Sequence, residues 1–282
     1  MENPLLQPDQ IPTTYIKPSK GWMSIDFKEL WRFRELIYFL TWRDIKVRYK
    51  QAVLGVAWAL LQPVLTVAIF TIVFGILLQT PSQGLPYPLF AISALLPWQL
   101  FANALNRSSL SLVTNANLIT KIYFPRLSIP LSAIFAALVD FGVSFVVLIA
   151  MMIFYQYMPG WNILWLPVII LFAVLTALAV GLWLAALNVQ YRDVQHMVPF
   201  LIQVWMYASP IVYPIEIIPE GIWRVLYGLN PMVGVIQSYR WALLGGDQPD
   251  LTMLISIVVV LFLLVGGFYY FRRLEKTFAD IV

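Results

Sequence analysis

Of the chain's 282 residues, 61% are hydrophobic and 11% charged, against roughly a quarter charged in a soluble domain; an ordinary water-solvated globule is excluded. The absence of cysteine excludes disulfides, thiol nucleophiles and thiolate metal sites. The formal charge of +4 is not a nucleic-acid signal, because Lys and Arg gather at the ends of apolar runs, as membrane orientation requires.

Residues 1–26 hold Pro4, Pro8, Pro12 and Pro18 and no apolar run, so they read as an extended cytoplasmic arm and not as a signal-peptide core. The remainder, 27–282, reads as one membrane domain. Over 27–50 the period becomes helical. Phe27, Leu30, Trp31, Ile37, Tyr38, Trp42, Ile45 and Tyr49 share one arc, and Lys28, Arg32, Arg43, Lys46 and Lys50 gather elsewhere. An aromatic face beside a cationic stripe suits an amphipathic helix in the headgroup layer, or one packed on a partner's soluble surface.

The run 51–78 is the stretch around which the chain is expected to be organised: apolar, without charge from Ala52 onward, and longer than the about 20 residues a spanning helix needs. Six spans are expected, at about 53–78, 87–113, 127–155, 163–187, 197–213 and 251–271. Gln62-Pro63 is expected to kink the first. The segment 214–250 is Pro/Gly-punctuated yet hydrophobic between its breaks, and it reads as two short re-entrant helices in the outer leaflet. The expected fold is therefore an all-α integral membrane protein with six transmembrane helices and an N-terminal interface helix. With six spans, fifteen of the eighteen Lys and Arg fall on the side of both termini, which the positive-inside rule makes cytoplasmic.

Ionisable groups inside a span are functional suspects. Arg107 lies about six residues from the inner end of its helix and Asp140 about thirteen, roughly 9 and 20 Å deep. That gap argues against a direct pair. Arg107 is expected to snorkel to the cytoplasmic face, and Asp140 to be protonated or hydrogen-bonded in the bundle, with proton coupling as the alternative. His196 is the sole histidine, so no Ser-His-Asp set is plausible, and no Cys/His/carboxylate cluster has metal spacing. Asn106-Arg107-Ser108 matches a glycosylation triplet but falls within a span. No GxxxxGK[ST] phosphate loop occurs; if transport uses ATP, another polypeptide hydrolyses it. Among the aromatics, Trp42, Tyr49, Trp98, Trp161, Trp165, Tyr213 and Trp223 lie near span boundaries, as interfacial anchors do. Trp58, Phe70, Phe74, Trp205 and Tyr207 lie deeper, where they would pack against lipid or stack on sugar rings.

The words Arg48-Tyr49-Lys50-Gln51, Leu54-Gly55, Trp58, Pro63 and Leu95-Leu96-Pro97-Trp98 resemble those of the ABC type 2 permeases that export polysaccharides. So do the run from Asn115 to Arg126 (NANLITKIYFPR), Tyr191-Arg192-Asp193, Ser209-Pro210-Ile211-Val212-Tyr213-Pro214 and Asn230-Pro231-Met232. The likeness runs from about residue 35 to the C-terminus. It implies the permease subunit of an O-antigen, capsule or teichoic-acid exporter in a bacterial cytoplasmic (inner) membrane. By that likeness the chain is a homodimer over two ATPase subunits, which bind ATP and Mg; it has no cofactor, metal or catalytic residue of its own, and it moves a lipid-linked glycan.

The same resemblance implies site residues. Asn115, Asn117, Leu118, Lys121 and Phe124, with Arg192 and Asp193, would couple to the ATPase. Trp58, Phe70, Phe74, Trp98, Phe101, Trp205 and Tyr207 would line an aromatic path, with the first and fifth spans at the dimer seam. Arg43, Lys46, Arg48 and Lys50 stand where they would gather an anionic head group, although orientation by charge alone would also place them there. Three alternatives remain open at this stage: a related permease for drugs or small lipids, a polytopic membrane enzyme, and a proton-coupled secondary transporter centred on Asp140.

Overall fold

A computed structural model describes residues 27–49, 53–246, 248–249 and 251–278; the arm 1–26 and Lys50 lie outside them. Among the described residues the regular elements are helices, joined by turns and bends, without a strand: α1 (Phe27–Arg32), α2 (Arg34–Tyr49), α3 (Val53–Phe70), α4 (Tyr87–Thr114), α5 (Ala116–Lys121), α6 (Ser128–Phe154), α7 (Leu166–Gln190), α8 (Val194–Tyr207), α9 (Ile222–Gly228), α10 (Pro231–Leu244) and α11 (Leu251–Glu275). Five segments among them are long and apolar enough to cross a membrane: Ala57–Leu77, Tyr87–Thr114, Ser128–Phe154, Trp161–Gln190 and Thr252–Glu275. The fifth expected span is different. Its helix, α8, has 14 residues, about 21 Å at 1.5 Å per residue, and it ends where Ser209-Pro210 interrupts the pattern.

The centre of the molecule is α4, not the first apolar run. In the windows that qualify them as spans, 78% of α4 is buried and only 11% of the 57–77 segment. The central helix is also the least apolar of the five. Lipid solvates an apolar surface as well as protein does, so burial in a bundle follows close packing and internal hydrogen bonding instead of hydrophobicity. Along α4, Ala91, Ala94 and Ala104 keep the surface low, and the hydroxyls of Ser93, Ser109 and Ser111 donate back to carbonyls one turn earlier at 2.7–2.8 Å. α7 approaches so closely that a methyl group on Gly181 would lie 2.7 Å from Ser108 Oγ. The expected Pro63 kink is not where regular helix ends; α3 continues through Pro63 to Phe70 and then widens into a π-helix over Thr71–Leu77.

Contacts between elements set their directions. Asn188 Nδ2 donates to Ser109 O at 2.9 Å, so α7 ends beside the last turns of α4. Trp183 Nε1 bonds Leu263 O and Tyr270 bonds Gln190, so α7 and α11 run parallel. The chain must return between them. It does so through α8 and the segment after it, which carry it from Gln190 to Val212, whose carbonyl accepts from Tyr87 at the far end of α4 (3.0 Å). At that far end α10 is inserted into the bundle, nearly all of it buried. Asn230 caps its start, accepting from Met232 N at 3.0 Å, with Pro231 at the first helical position. Gly245, at φ +71°, ends it. At the near end, Thr41 on α2 meets Ser132 on α6 (3.4 Å), and the Glu275 carboxylate accepts from the Arg126 amide (3.2 Å). α2 and α11 therefore share one end with α5.

Candidate functional site

Three places carry the residues singled out from sequence. The first is the near end. α4 stops at Thr114, and Asn115 turns the chain by donating its amide to Ser111 O at 2.8 Å. The single turn α5 then projects Asn117, Thr120 and Lys121, followed by Ile122 and Tyr123, all exposed. Leu118 is half-buried, and Ile119 and Phe124 are buried beneath the tip. A platform of this kind presents a cation, amides and an exposed aromatic on buried apolar anchors, which suits docking to another protein. Tyr191, Arg192 and Asp193, between α7 and α8, are exposed at the same end.

The second place is the cationic collar on α2. Arg43 pairs with its neighbour Asp44 at 2.8 Å and Lys46 is exposed. Arg48 turns inward and is ion-paired to Asp140 on α6, whose other oxygen accepts from the Tyr49 hydroxyl at 2.7 Å. Burial first, and then the hydrogen bond to the Asp140 carboxylate, push the Tyr49 phenol up to about 12. Its proton is bound more tightly in the folded chain than in the unfolded one. The bond's contribution is therefore complete below about pH 10, the ordinary phenol value, and is lost as pH rises toward 12.

Arg107 on α4 also reaches Asp140, at 2.6 Å. This overturns the expectation that depth keeps the two apart. Arg107 is seven residues from the end of α4 and Asp140 twelve from the start of α6, a difference of only about 8 Å at 1.5 Å per residue, and the long guanidinium arm closes it. Nor is Arg107 free to snorkel. α2 does not lie apart from the bundle either: it follows α6 from the Thr41–Ser132 contact to the Tyr49–Asp140 contact. Its Tyr38 and Trp42, and Trp31 on α1 before it, still face outward.

The third place is aromatic. Trp58 and Tyr207 are exposed, on α3 and α8. Phe70 and Phe74 are half-buried and pack edge to face, 5.5 Å apart. Trp98 and Phe101 are buried; the Phe101 ring lies 5.5 Å from Trp98 and 5.0 Å edge-on from Trp205. These two stand behind the surface and hold Trp205, whose indole donates to Asn230 Oδ1 at 2.7 Å.

Sequence reasoning passed over two groups. Asn230 gathers Trp205, Ala208 and Ser209 onto the start of α10; its signal was the Asn-Pro pair at a helix start. Arg240, on α10, is buried with its guanidinium 3.6 Å from the Phe90 ring centre, and it donates to Ile211 O at 2.7 Å. A lone arginine between apolar neighbours in a segment read as re-entrant was the available sign. No group of three or more potential metal ligands occurs among the described residues.

The sequence matches the ABC-2 type transporter family over residues 35–244. It is 31% identical over 253 residues to the O-antigen export system permease protein RfbA of Myxococcus xanthus, covering 88% of this chain and 96% of that one. A Klebsiella pneumoniae protein of the same name is 31% identical over 263 residues, 92% of this chain and 100% of its own. The polysialic acid transport protein KpsM of Escherichia coli is 24% identical over 205 residues, 72% of this chain and 79% of its own.

Proposed function

This chain belongs to the ABC-2 type transporter family, and on that footing we propose that it is the membrane subunit of an ATP-driven exporter of lipid-linked polysaccharide, O-antigen in the first instance. The observation that carries the reading is the end-to-end likeness to O-antigen export permeases, at 31% identity over nearly their whole length. KpsM, at lower identity over less of the chain, leaves capsule polysaccharide as the second substrate. Hydrolysis falls to a separate ATPase, two copies of which dock on the α5 tip and the Tyr191–Asp193 turn. A site near the buried Phe124 and Ile119 anchors would transmit movement into α4 and α6 with little loss.

The bundle crosses the bacterial inner membrane six times, the short α8 and the bent segment after it making the fifth crossing, with α5 and both chain ends cytoplasmic. The parallel course of α7 and α11 supports this, since a return between them is needed. α9 and α10 then re-enter the outer leaflet, where the Asn230 cap shields loose backbone ends. Two copies meet along the exposed apolar faces of α3 and α8, placing Trp58 and Tyr207 by the seam as sugar-stacking surfaces. Arg43, Lys46 and Lys50 remain the collar that gathers anionic lipid. Coexpression with a candidate ATPase tests the whole reading: a stable complex is expected, with ATP hydrolysis stimulated by lipid-linked glycan. Failure to associate, or ATP hydrolysis by this chain unaided, would sink it.

A further inference from the structure

The Arg48–Asp140–Arg107 cluster holds more cation than its own stability calls for. Arg107 and Asp140, on α4 and α6, already make a neutral pair at 2.6 Å. Arg48 brings a second guanidinium from α2 to the same carboxylate oxygen, Oδ2, and Tyr49 donates to Oδ1 at 2.7 Å. Two cations thus share one anion, and one unit of positive charge has no counter-ion among the described residues. The donors also outnumber the acceptors: Nη1 of Arg107 is buried there without a hydrogen-bond partner.

A net charge in a partly desolvated site is unfavourable unless an opposite charge meets it. A cluster that served only to fasten α2 to α6 would be better made with one arginine. Two guanidiniums held side by side match the oxygens of a phosphate, each able to give charge-assisted hydrogen bonds. Access is also graded in the right order. The side chain of Arg48 is 34% exposed, that of Arg107 25% and that of Asp140 13%, so an arriving anion meets the guanidiniums before the carboxylate.

We propose that Arg48 and Arg107, held together by Asp140, form a binding site for a phosphate-class anion borne on a lipid, and that Arg48 exchanges the carboxylate for that anion. Arg107–Asp140 is left as a neutral pair, and α2 is released from its charged tie to α6. The anion is either the pyrophosphate of a glycan carrier or the phosphodiester of a bilayer lipid. The choice of carrier rests on the transport reading above; the site itself does not.

The full chain in phosphatidylcholine nanodiscs, titrated with undecaprenyl pyrophosphate, undecaprenol or phosphatidylglycerol and read by native mass spectrometry, tests it. The pyrophosphate is expected to bind at least about tenfold more tightly than the neutral alcohol, with Arg48→Gln and Arg107→Gln each erasing about tenfold. Asp140→Asn removes the competing carboxylate and is expected to tighten anion binding, whereas a purely structural cluster would bind no better. If Asp140→Asn does not fold, Arg48→Lys, which keeps the charge at that position, is expected to retain most of the anion binding that Arg48→Gln loses. Phosphatidylglycerol binding equally well, with the same loss in Arg107→Gln, supports the site and assigns it to bilayer lipid. Wild-type anion affinity in both arginine variants overturns the proposal. Export measured in cells with the same variants judges the transport reading separately.

Discussion

Asn230 shows how one amide selects a backbone path. Its carboxamide has two acceptor and two donor positions, and all four are used: Met232 N and Trp205 Nε1 donate to Oδ1, while Nδ2 donates to Ala208 O and Ser209 Oγ, at 2.7–3.0 Å. Asn230→Ala removes a helix cap worth about 1 kcal/mol and strands the Trp205 indole at a further cost of about 1–3 kcal/mol. The midpoint of thermal aggregation in detergent should fall clearly, with Asn230→Asp intermediate because it keeps both acceptor bonds; an unchanged Asn230→Ala midpoint would make the hub incidental. Other side chains were legible only in part. Arg107 and Asp140 stand out in sequence as the ionisable groups within spans, but counting rungs locates Cα atoms and not the ends of long side chains. Arg48 read as a surface cation because nothing local reveals that α2 bends back onto α6.

At the scale of elements, the near-end tip was readable because its cues are local: a charged, Asn-rich interruption between two apolar runs. Its orientation follows from the buried Ile119 and Phe124 beneath the exposed Lys121 and Tyr123. Lys121→Glu with Tyr123→Ala is expected to cut glycan-stimulated ATP hydrolysis by the assembled complex at least about tenfold, a loss of about 1.4 kcal/mol in coupling, while the chain's own thermal stability stays within about 0.5 kcal/mol, as for surface substitutions. A loss of stability equal to the loss of coupling would mark the tip as structural. Span length was less legible. The pattern 197–213 is apolar enough for a crossing, but helix stops at Tyr207 and the chain continues as a run of bends bonded through Val212 O and Ile211 O to Tyr87 and Arg240. A hydropathy pattern does not distinguish helix from backbone that neighbouring side chains satisfy.

Taken whole, one copy leaves α3 and α8 with long apolar faces, including Leu65, Ile69, Phe200 and Val204. The absence of cysteine makes single-cysteine variants clean probes of the proposed seam. At least one of Leu65→Cys, Ile69→Cys and Val204→Cys should cross-link two copies in membranes. Phe262→Cys, on the exposed face of α11 and read as lipid-facing, should not. Cross-linking through Phe262 alone would place the seam elsewhere.

Composition and charge position, by themselves, determined that lipid is the solvent, where the apolar helices lie, and which loops hold the cations. All three follow from the cost of taking peptide groups and charges out of water, which each segment bears on its own. Which helix lies at the centre, and that both Arg48 and Arg107 meet Asp140, was decided only by tertiary packing. In a bilayer the most apolar segment gains nothing by being buried, so the interior goes to the helix whose small and hydroxylated side chains let its neighbours approach.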